Sequence, residues 1–182
     1  GFGLGYNVLA LMNEFITQKK SGILNIISLE KDKNFLEFMN NVKFNDMRDH
    51  IYNFIKEAYI SGEGNYNGIN LKILFGDARE TLNTLTGKKF HAIFQDPFSP
   101  SKNPELWSVH YFGKLKNLLS ETGIITTYSS ADHIRRAMFE AGLHVGRGPS
   151  VGKKREGTIA ALIETDSELN EDEKKSIINN IK

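Results

Sequence analysis

The sequence contains no cysteine, which excludes disulfides, thiolate metal ligands and a cysteine nucleophile. No apolar run reaches membrane-spanning length and no secretory leader is visible, so a cytoplasmic protein with no membrane partner is expected. An excess of one charge is also missing. Lys and Arg number 23 against 22 Asp and Glu, and a net charge of +1 gives no global field for nucleic acid. His133 and His144 share no ligand spacing with other residues, so no metal is expected. Proline and tryptophan are scarce, four and one in 182 residues, which makes their placement informative. Pro97, Pro100 and Pro104 fall between Gln95 and Trp107, and Trp107 is the single tryptophan. The remaining composition, 40% hydrophobic and 25% charged, is that of one soluble domain with a sizeable core.

Strand-like and helix-like segments alternate along the chain. Val8 to Lys19 has helical spacing; Ile23 to Leu29 is a near-continuous apolar run closed by Glu30, as a strand covered on both faces should be. Helical stretches are expected from Asp32 to about Val42 and from Met47 to Tyr59, with a Gly- and Asn-rich loop over Ser61 to Gly68. Leu71 to Phe75 reads as a strand ending in Gly76-Asp77-Ala78, with a short helix to Leu85. Phe90 to Phe94 is a buried strand, Asn103 to Leu119 a helix and Gly123 to Tyr128 a strand. Ser130 is the expected N-cap of a helix through Ala141, stopped by Gly142. His144 to Gly148 and Thr158 to Ile163 form a closing hairpin. This order implies an α/β fold with a mostly parallel sheet and an antiparallel last strand, the Rossmann-like methyltransferase variant. Residues 1–165 are assigned to that domain and 166–182 to a charged, helical tail with no assigned chemistry.

Gly1-Phe2-Gly3-Leu4-Gly5 precedes a helix, so backbone N–H groups can approach a ligand with no side chain between them. Tyr6 stands where a dinucleotide fingerprint would place its third glycine, so the tighter loop suits a ligand without a pyrophosphate. Glu30 can accept from a ribose diol, and Asp77, ending the next strand, from an adenine amino group. Taken together these describe an adenosine site, and the ligand that fits is S-adenosylmethionine. The cofactor set is Gly1, Phe2, Gly3, Gly5, Asn7, Glu30, Asp77, Ala78 and Asp96. The chain starts at Gly1, without Met and inside the glycine motif. A longer natural protein is therefore expected, with the first, central strand before Gly1.

Asp96-Pro97-Phe98 ends the Phe90 to Phe94 strand, and ligands bind at that edge of open α/β sheets. The tripeptide resembles the Asp-Pro-Pro-Tyr signature of amine methyltransferases. A sulfonium methyl is already activated, so catalysis consists mainly of aligning a neutral nitrogen lone pair with the S–CH3 bond. Asp96 and a backbone carbonyl exposed by Pro97 can hold the amine hydrogens, Phe98 can stack on a base, and Asp96 can take the proton of an alkylammonium. Asp96, Pro97 and Phe98 form the catalytic set.

Gly1 to Asn7, Asp96 to Trp107 and Gly152-Lys153-Lys154-Arg155-Glu156 together resemble the methyltransferase domain of the MnmC-like tRNA-modifying enzymes, from Gly1 to about Glu164. The resemblance implies methyl transfer from S-adenosylmethionine to the 5-aminomethyl group of a tRNA wobble uridine, giving 5-methylaminomethyl-uridine or its 2-thio form. It also implies tRNA as partner, together with the enzymes that install the aminomethyl precursor. Two-domain members carry an FAD-dependent oxidoreductase; nothing here could house FAD, so a stand-alone, MnmD-type methyltransferase is expected.

Between Ala131 and Gly157, Arg135, Arg136, Arg147, Lys153, Lys154 and Arg155 stand against Asp132, Glu140 and Glu156. With Lys102 they are expected to form a basic rim for phosphates. Tyr128, Ser129 and Ser130 are expected to line the acceptor pocket, and Trp107 either stacks on a base or anchors the loop. Two alternatives remain. One is an aminopropyltransferase of the spermidine-synthase type, which would use paired acids. The other is a catalytically silent, methyltransferase-like RNA-binding module.

Overall fold

The computed structural model describes residues 1–150 and 156–179. The chain divides into two compact units, Gly1–Thr81 and Leu82–Lys182.

In the first unit, α1 (Tyr6–Thr17) leads into β1 (Leu24–Glu30), a short α2 (Leu36–Asn40), α3 (Arg48–Ser61), β2 (Glu63–Tyr66), β3 (Ile69–Phe75) and α4 (Ala78–Thr81). The sheet order is β1-β3-β2, with β1 and β3 parallel and β2 antiparallel to β3. Burial alternates along β3, with Ile69, Leu71 and Ile73 inward. They meet Met12 of α1 and Ile51, Tyr52 and Ile55 of α3, all fully enclosed. A two-residue period on the strand and a 3.6-residue period on the helices thus build one apolar core.

Two expectations change in this unit. Of the Ser61 to Gly68 stretch, Ser61 ends α3 and Glu63–Tyr66 is a hairpin arm, not a loop. Asn67 and Gly68 both take positive φ, 49° and 80°, as a tight turn between twisted strands requires. The sheet is also not covered evenly on both faces. Asn65 donates to Asn70 at 2.7 Å and Asn70 to Asn25 at 2.9 Å, an exposed polar ladder across all three strands.

The second unit opens with a 3-10 turn (Leu82–Leu85) and β4 (Phe90–Phe94), then a second 3-10 turn (Pro104–Trp107), α5 (Val109–Leu118) and β5 (Leu119–Thr127). It continues with α6 (Asp132–Glu140), β6 (His144–Gly148), β7 (Gly157–Ala161) and α7 (Glu171–Asn179). The order is β4-β5-β7-β6: β4 and β5 run parallel, and β7 is antiparallel to both its neighbours, as the closing hairpin predicts.

Three local expectations differ. The helix expected from Asn103 breaks at Ser108, whose extended backbone ends the 3-10 turn and whose hydroxyl caps α5 by accepting from the Tyr111 amide. Ser130 caps nothing: α6 starts at Asp132 after Ala131, without a side-chain cap. Gly142 does stop α6, in the left-handed conformation with Leu143 donating back to Met138. β4 is not a buried strand. It lies at the sheet edge, and Phe94 is 51% exposed.

The tail is built into this unit. Arg147 donates its amide to Ser167 at 2.8 Å and Leu169 donates to Val145 at 3.0 Å, extending the sheet past β6. Leu169 and Ile177 are buried. Asn170 and Glu173 form a reciprocal capping box at the start of α7, each side chain accepting from the other's amide at 3.0 Å.

Candidate methyl-transfer site

In the first unit the predicted cofactor residues gather at the C-terminal ends of β1 and β3. Glu30 pairs in register with Phe75, and the Gly76 amide donates to the Glu30 carbonyl at 2.8 Å. The glycine loop is pinned to the same edge. The Phe2 amide donates to Leu29 at 2.8 Å, its buried ring stacks on Tyr59 at 5.3 Å, and Tyr52 donates its hydroxyl to the Leu4 carbonyl at 2.8 Å. Gly5, at φ 77°, gives α1 its N-terminus; a Cβ there would lie 2.9 Å from the Phe2 ring and 3.0 Å from Ile55. Gly3, at φ 56°, has open space where a Cβ would stand. The first glycine serves close packing and the second leaves room for a ligand.

Glu30 is 8% exposed, and its carboxylate accepts from three backbone amides: Gly3 at 2.7 Å on Oε2, Lys31 at 2.7 Å and Asp32 at 2.9 Å on Oε1. A carboxylate offers about four lone-pair sites, so roughly one, on Oε2, is left for a ribose hydroxyl. Glu30 is therefore the clamp of the glycine loop, a role that sequence spacing does not reveal, with one acceptor position to spare. The donor set fits S-adenosylmethionine: one buried carboxylate beside a glycine turn with nothing over Gly3.

Asp77 sits two residues past β3, and its carbonyl accepts from the Glu80 and Thr81 amides in the first turn of α4. Its carboxylate is held by Arg79, at 2.9 Å from Nε and 2.8 Å from Nη2, by the Arg79 amide at 3.0 Å and by Lys31 at 3.5 Å. Those hydrogen bonds from Arg79, with its charge and that of Lys31, hold the Asp77 carboxyl well below the usual carboxylate range. Arg79 thus takes three of roughly four acceptor sites, and an adenine amino group would compete with Lys31 for the remaining one, on Oδ2. Arg79→Gln is expected to return the Asp77 pKa toward about 3.9, followed by carboxyl-carbon NMR titration. With the folded pKa depressed, the stabilisation from the pair is complete above the unfolded pKa and is lost as pH falls through the folded one. The variant should accordingly lose part of its acid-side stability dependence; an unchanged Asp77 titration would refute the pairing.

In the second unit the acceptor loop follows β4 directly. Burial alternates for four residues: Gln95 and Pro97 are buried, while Asp96 and Phe98 are exposed. The acid and the aromatic ring are thus both accessible, Phe98 at 64% exposure. Lys102 places its ammonium 5.7 Å from the Phe98 ring centroid. Buried partners brace the loop. Gln95 donates its amide to Thr126 at 2.8 Å and its side chain to the Leu106 carbonyl at 2.6 Å, closing the loop on itself. Trp107 donates Nε1 to the Phe98 carbonyl at 2.9 Å, and Tyr128 donates its hydroxyl to the Pro97 carbonyl at 3.3 Å. The two rings meet edge to face at 5.7 Å. Burial, together with the charge of Asp96, pushes the Tyr128 phenol above its ordinary pKa.

Two expected tRNA contacts are placed elsewhere by the structure. Trp107 is 3% exposed and anchors the loop, so its ring is not presented to a base. Arg135 is 6% exposed and engaged with Glu156, Gly157 and Thr158. Helical phase carried that signal: Arg135 lies three residues before buried Met138, on the inner face of α6. Arg136 is more exposed and pairs with Glu140 at 2.7 Å one turn on. Arg147 is half-exposed and paired with Glu156 and Glu173. Lys153, Lys154 and Arg155 lie outside the described residues. The bracing role of Gln95 and the bonds of Glu156 and Thr158 to Arg135 were missed, because their partners are distant in sequence and only tertiary packing brings them together. Among the described residues no cluster of His, Asp or Glu could hold a metal ion, and no helix is long and apolar enough to cross a membrane.

Residues 40–163 match the family model of the S-adenosyl-L-methionine-dependent methyltransferases. An uncharacterized protein of Methanocaldococcus jannaschii is 26% identical over 162 residues, 87% of this chain and 44% of that protein. The tRNA 5-methylaminomethyl-2-thiouridine biosynthesis bifunctional protein MnmC of Leptospira borgpetersenii is 33% identical over 169 residues, 86% of this chain and 25% of that protein. The chain thus spans less than half the length of these relatives. The crystal structure of MNMC2 from Aquifex aeolicus aligns with a TM-score of 0.77 at 32% identity, covering 98% of this chain and 56% of that one. The resemblance to MnmC-like proteins and the Rossmann-like fold expected from the motifs both agree with these matches. With its glycine loop, strand-end acids and matched residues 40–163, this chain belongs to the S-adenosyl-L-methionine-dependent methyltransferase family.

Proposed function

We propose that this domain transfers a methyl group from S-adenosylmethionine to the 5-aminomethyl amine of a tRNA wobble uridine, the product being 5-methylaminomethyl-uridine or its 2-thio form. The observation that carries the reading is the braced loop after β4, which leaves Asp96 and Phe98 both exposed while their neighbours anchor it. MnmC relatives support the choice of acceptor, since their names place them in tRNA 5-methylaminomethyl-2-thiouridine biosynthesis. They favour this reading over aminopropyl transfer and over a silent RNA-binding module.

S-adenosylmethionine, when bound, supplies an activated sulfonium methyl. The chain's own residues do the rest. Gly3 leaves space at the glycine turn, and Glu30 keeps that turn in place while offering one acceptor to a ribose hydroxyl. Asp96 takes the proton of the incoming alkylammonium, so that the nitrogen lone pair becomes available, and passes it to water; as a carboxylate again it steadies the charged amine product. The Pro97 carbonyl, with a second lone pair beyond the one used by Tyr128, accepts an amine hydrogen. Phe98 stacks on the uridine, and Lys102 is close enough to that ring to meet a neighbouring phosphate. Lys153, Lys154 and Arg155 add basic charge for the tRNA backbone.

The test supplies the protein with methyl-labelled S-adenosylmethionine and tRNA bearing 5-aminomethyl-uridine, followed by nucleoside mass analysis. Label is expected in 5-methylaminomethyl-uridine. Label found instead in a polyamine, or none in tRNA, would reject the proposal.

A further inference from the structure

Behind the acceptor loop lies a buried arginine that the catalytic motif does not include. The Nε of Arg135 donates to Thr158 Oγ1 at 3.1 Å; Nη2 donates to Glu156 Oε1 at 2.8 Å and to the Gly157 carbonyl at 3.1 Å. Thr158 passes the line on, donating its hydroxyl to the Ser129 carbonyl at 2.6 Å. Ser129 follows Tyr128 directly. Tyr128 in turn meets the Pro97 carbonyl and the edge of Trp107, which holds the Phe98 carbonyl. A path of hydrogen bonds, one covalent step from Ser129 to Tyr128 and one ring contact therefore runs from α6, across the start of β7 and the residues just past β5, to the two carbonyls that follow Asp96.

We propose that Arg135 is a positioning residue for methyl transfer: through Thr158 and the Ser129 carbonyl it sets the Tyr128 turn, and through Tyr128 and Trp107 the place of Asp96. The inference rests on Asp96 being the acceptor acid. Two physical arguments support it. Burying a guanidinium beside a carboxylate brings little net stability compared with an apolar side chain of similar size, so stability alone is a weak reason for the pair. Its geometry is also specific. The planar fork reaches a hydroxyl, a carboxylate and a carbonyl at once, joining α6 to three consecutive residues, Glu156, Gly157 and Thr158, whereas an ammonium would act as a point charge. Glu156 also forms an ion pair with Arg147 at 3.3 Å, and Arg147 pairs with Glu173 of the α7 capping box. The tail helix thus buttresses the far end of the same path.

The test compares Arg135→Gln, Arg135→Lys and Thr158→Val in the full chain. Thr158→Val leaves the ion pair in place and removes only the hydroxyl that reaches Ser129, so it keeps the question answerable if the arginine variants do not fold. Expected for Arg135→Gln and Thr158→Val is a kcat about 10–100-fold lower, as for a displaced catalytic group, with the S-adenosylmethionine Kd unchanged within about threefold. Arg135→Lys should recover part of the loss. The second readout needs no substrate: the Tyr128 phenol, identified by the resonance lost in Tyr128→Phe, should titrate lower in both variants as it leaves its buried place. Folded Thr158→Val protein with wild-type kcat and an unmoved Tyr128 titration overturns the proposal. A moved Tyr128 titration in protein that never methylates 5-aminomethyl-uridine tRNA keeps the positioning path and rejects the substrate assignment instead.

Discussion

Asp96→Ala is expected to lower methyl transfer to 5-aminomethyl-uridine tRNA by at least about 100-fold, the scale of a lost general base and a lost orienting contact. The S-adenosylmethionine Kd should stay within about threefold of wild type. The reasoning is local. Asp96 is exposed, while the anchoring of its loop lies with its neighbours: Gln95 bonded to Leu106, Pro97 to Tyr128 and Phe98 to Trp107. Removing the carboxylate therefore takes away the acid proposed to meet the amine and leaves the brace standing. Asp96→Asn, which keeps a carbonyl acceptor but cannot take a proton, should recover little of the activity below the amine pKa and more above it. The measurement is single-turnover methyl transfer across pH, with cofactor titration by calorimetry. A parallel collapse of cofactor binding in Asp96→Ala would move this acid from the amine to the cofactor.

Glu30→Ala should abolish measurable cofactor binding and destabilise the first unit. Its carboxylate closes the glycine loop onto the end of β1 through the Gly3, Lys31 and Asp32 amides, and it does so while buried. Water can reach some of the freed amides, so the cost is about 1–3 kcal/mol, not the sum of three lost charge-assisted bonds. The loss of binding is the larger effect, because a loop released from Glu30 no longer holds Gly3 open to the ligand. Glu30→Gln separates the two effects. It retains one acceptor oxygen but turns an amide NH2 toward backbone donors, so stability should recover in part and cofactor affinity should stay low. Denaturant midpoints and calorimetric binding decide it. Wild-type affinity in Glu30→Ala would show that the clamp and the ribose contact are both dispensable.

Much of this molecule was legible before any coordinates. Apolar periodicity located α1, α3, β1, β3 and the closing β6–β7 pair within a residue or two, since one buried face imposes its period on the chain. Chemistry-bearing residues at strand ends were legible for a related reason. Glu30 ends β1, Asp77 and Asp96 stand two residues past β3 and β4, and parallel pairing of β1 with β3 then puts Glu30 and Asp77 at one edge. The β2 arm was overlooked even though Asn67-Gly68 is a strong turn signal, because its polar Glu63-Gly64-Asn65-Tyr66 stretch does not look like a strand. β4 was expected to be buried because Phe90, Ile93 and Phe94 are apolar, but burial depends on what covers a strand and not on its own composition.

The sequence by itself determined the class of chemistry: a glycine turn, strand-end acids and a proline-rich aromatic loop require residue types whose bonding capacity does not depend on the rest of the fold. Tertiary structure alone decided which partner each group takes. Trp107 and Arg135 have the makings of nucleic-acid contacts, yet both turn inward, one to the Phe98 carbonyl and one to Glu156, Gly157 and Thr158. Glu30 was placed as a ribose acceptor and is a loop clamp as well; Asp77 was placed at adenine and is held by Arg79. The physical reason is common to all four. Hydrogen-bond capacity is a property of the residue, whereas saturation of that capacity is a property of neighbours distant in sequence, which only the folded chain brings within 3 Å or so.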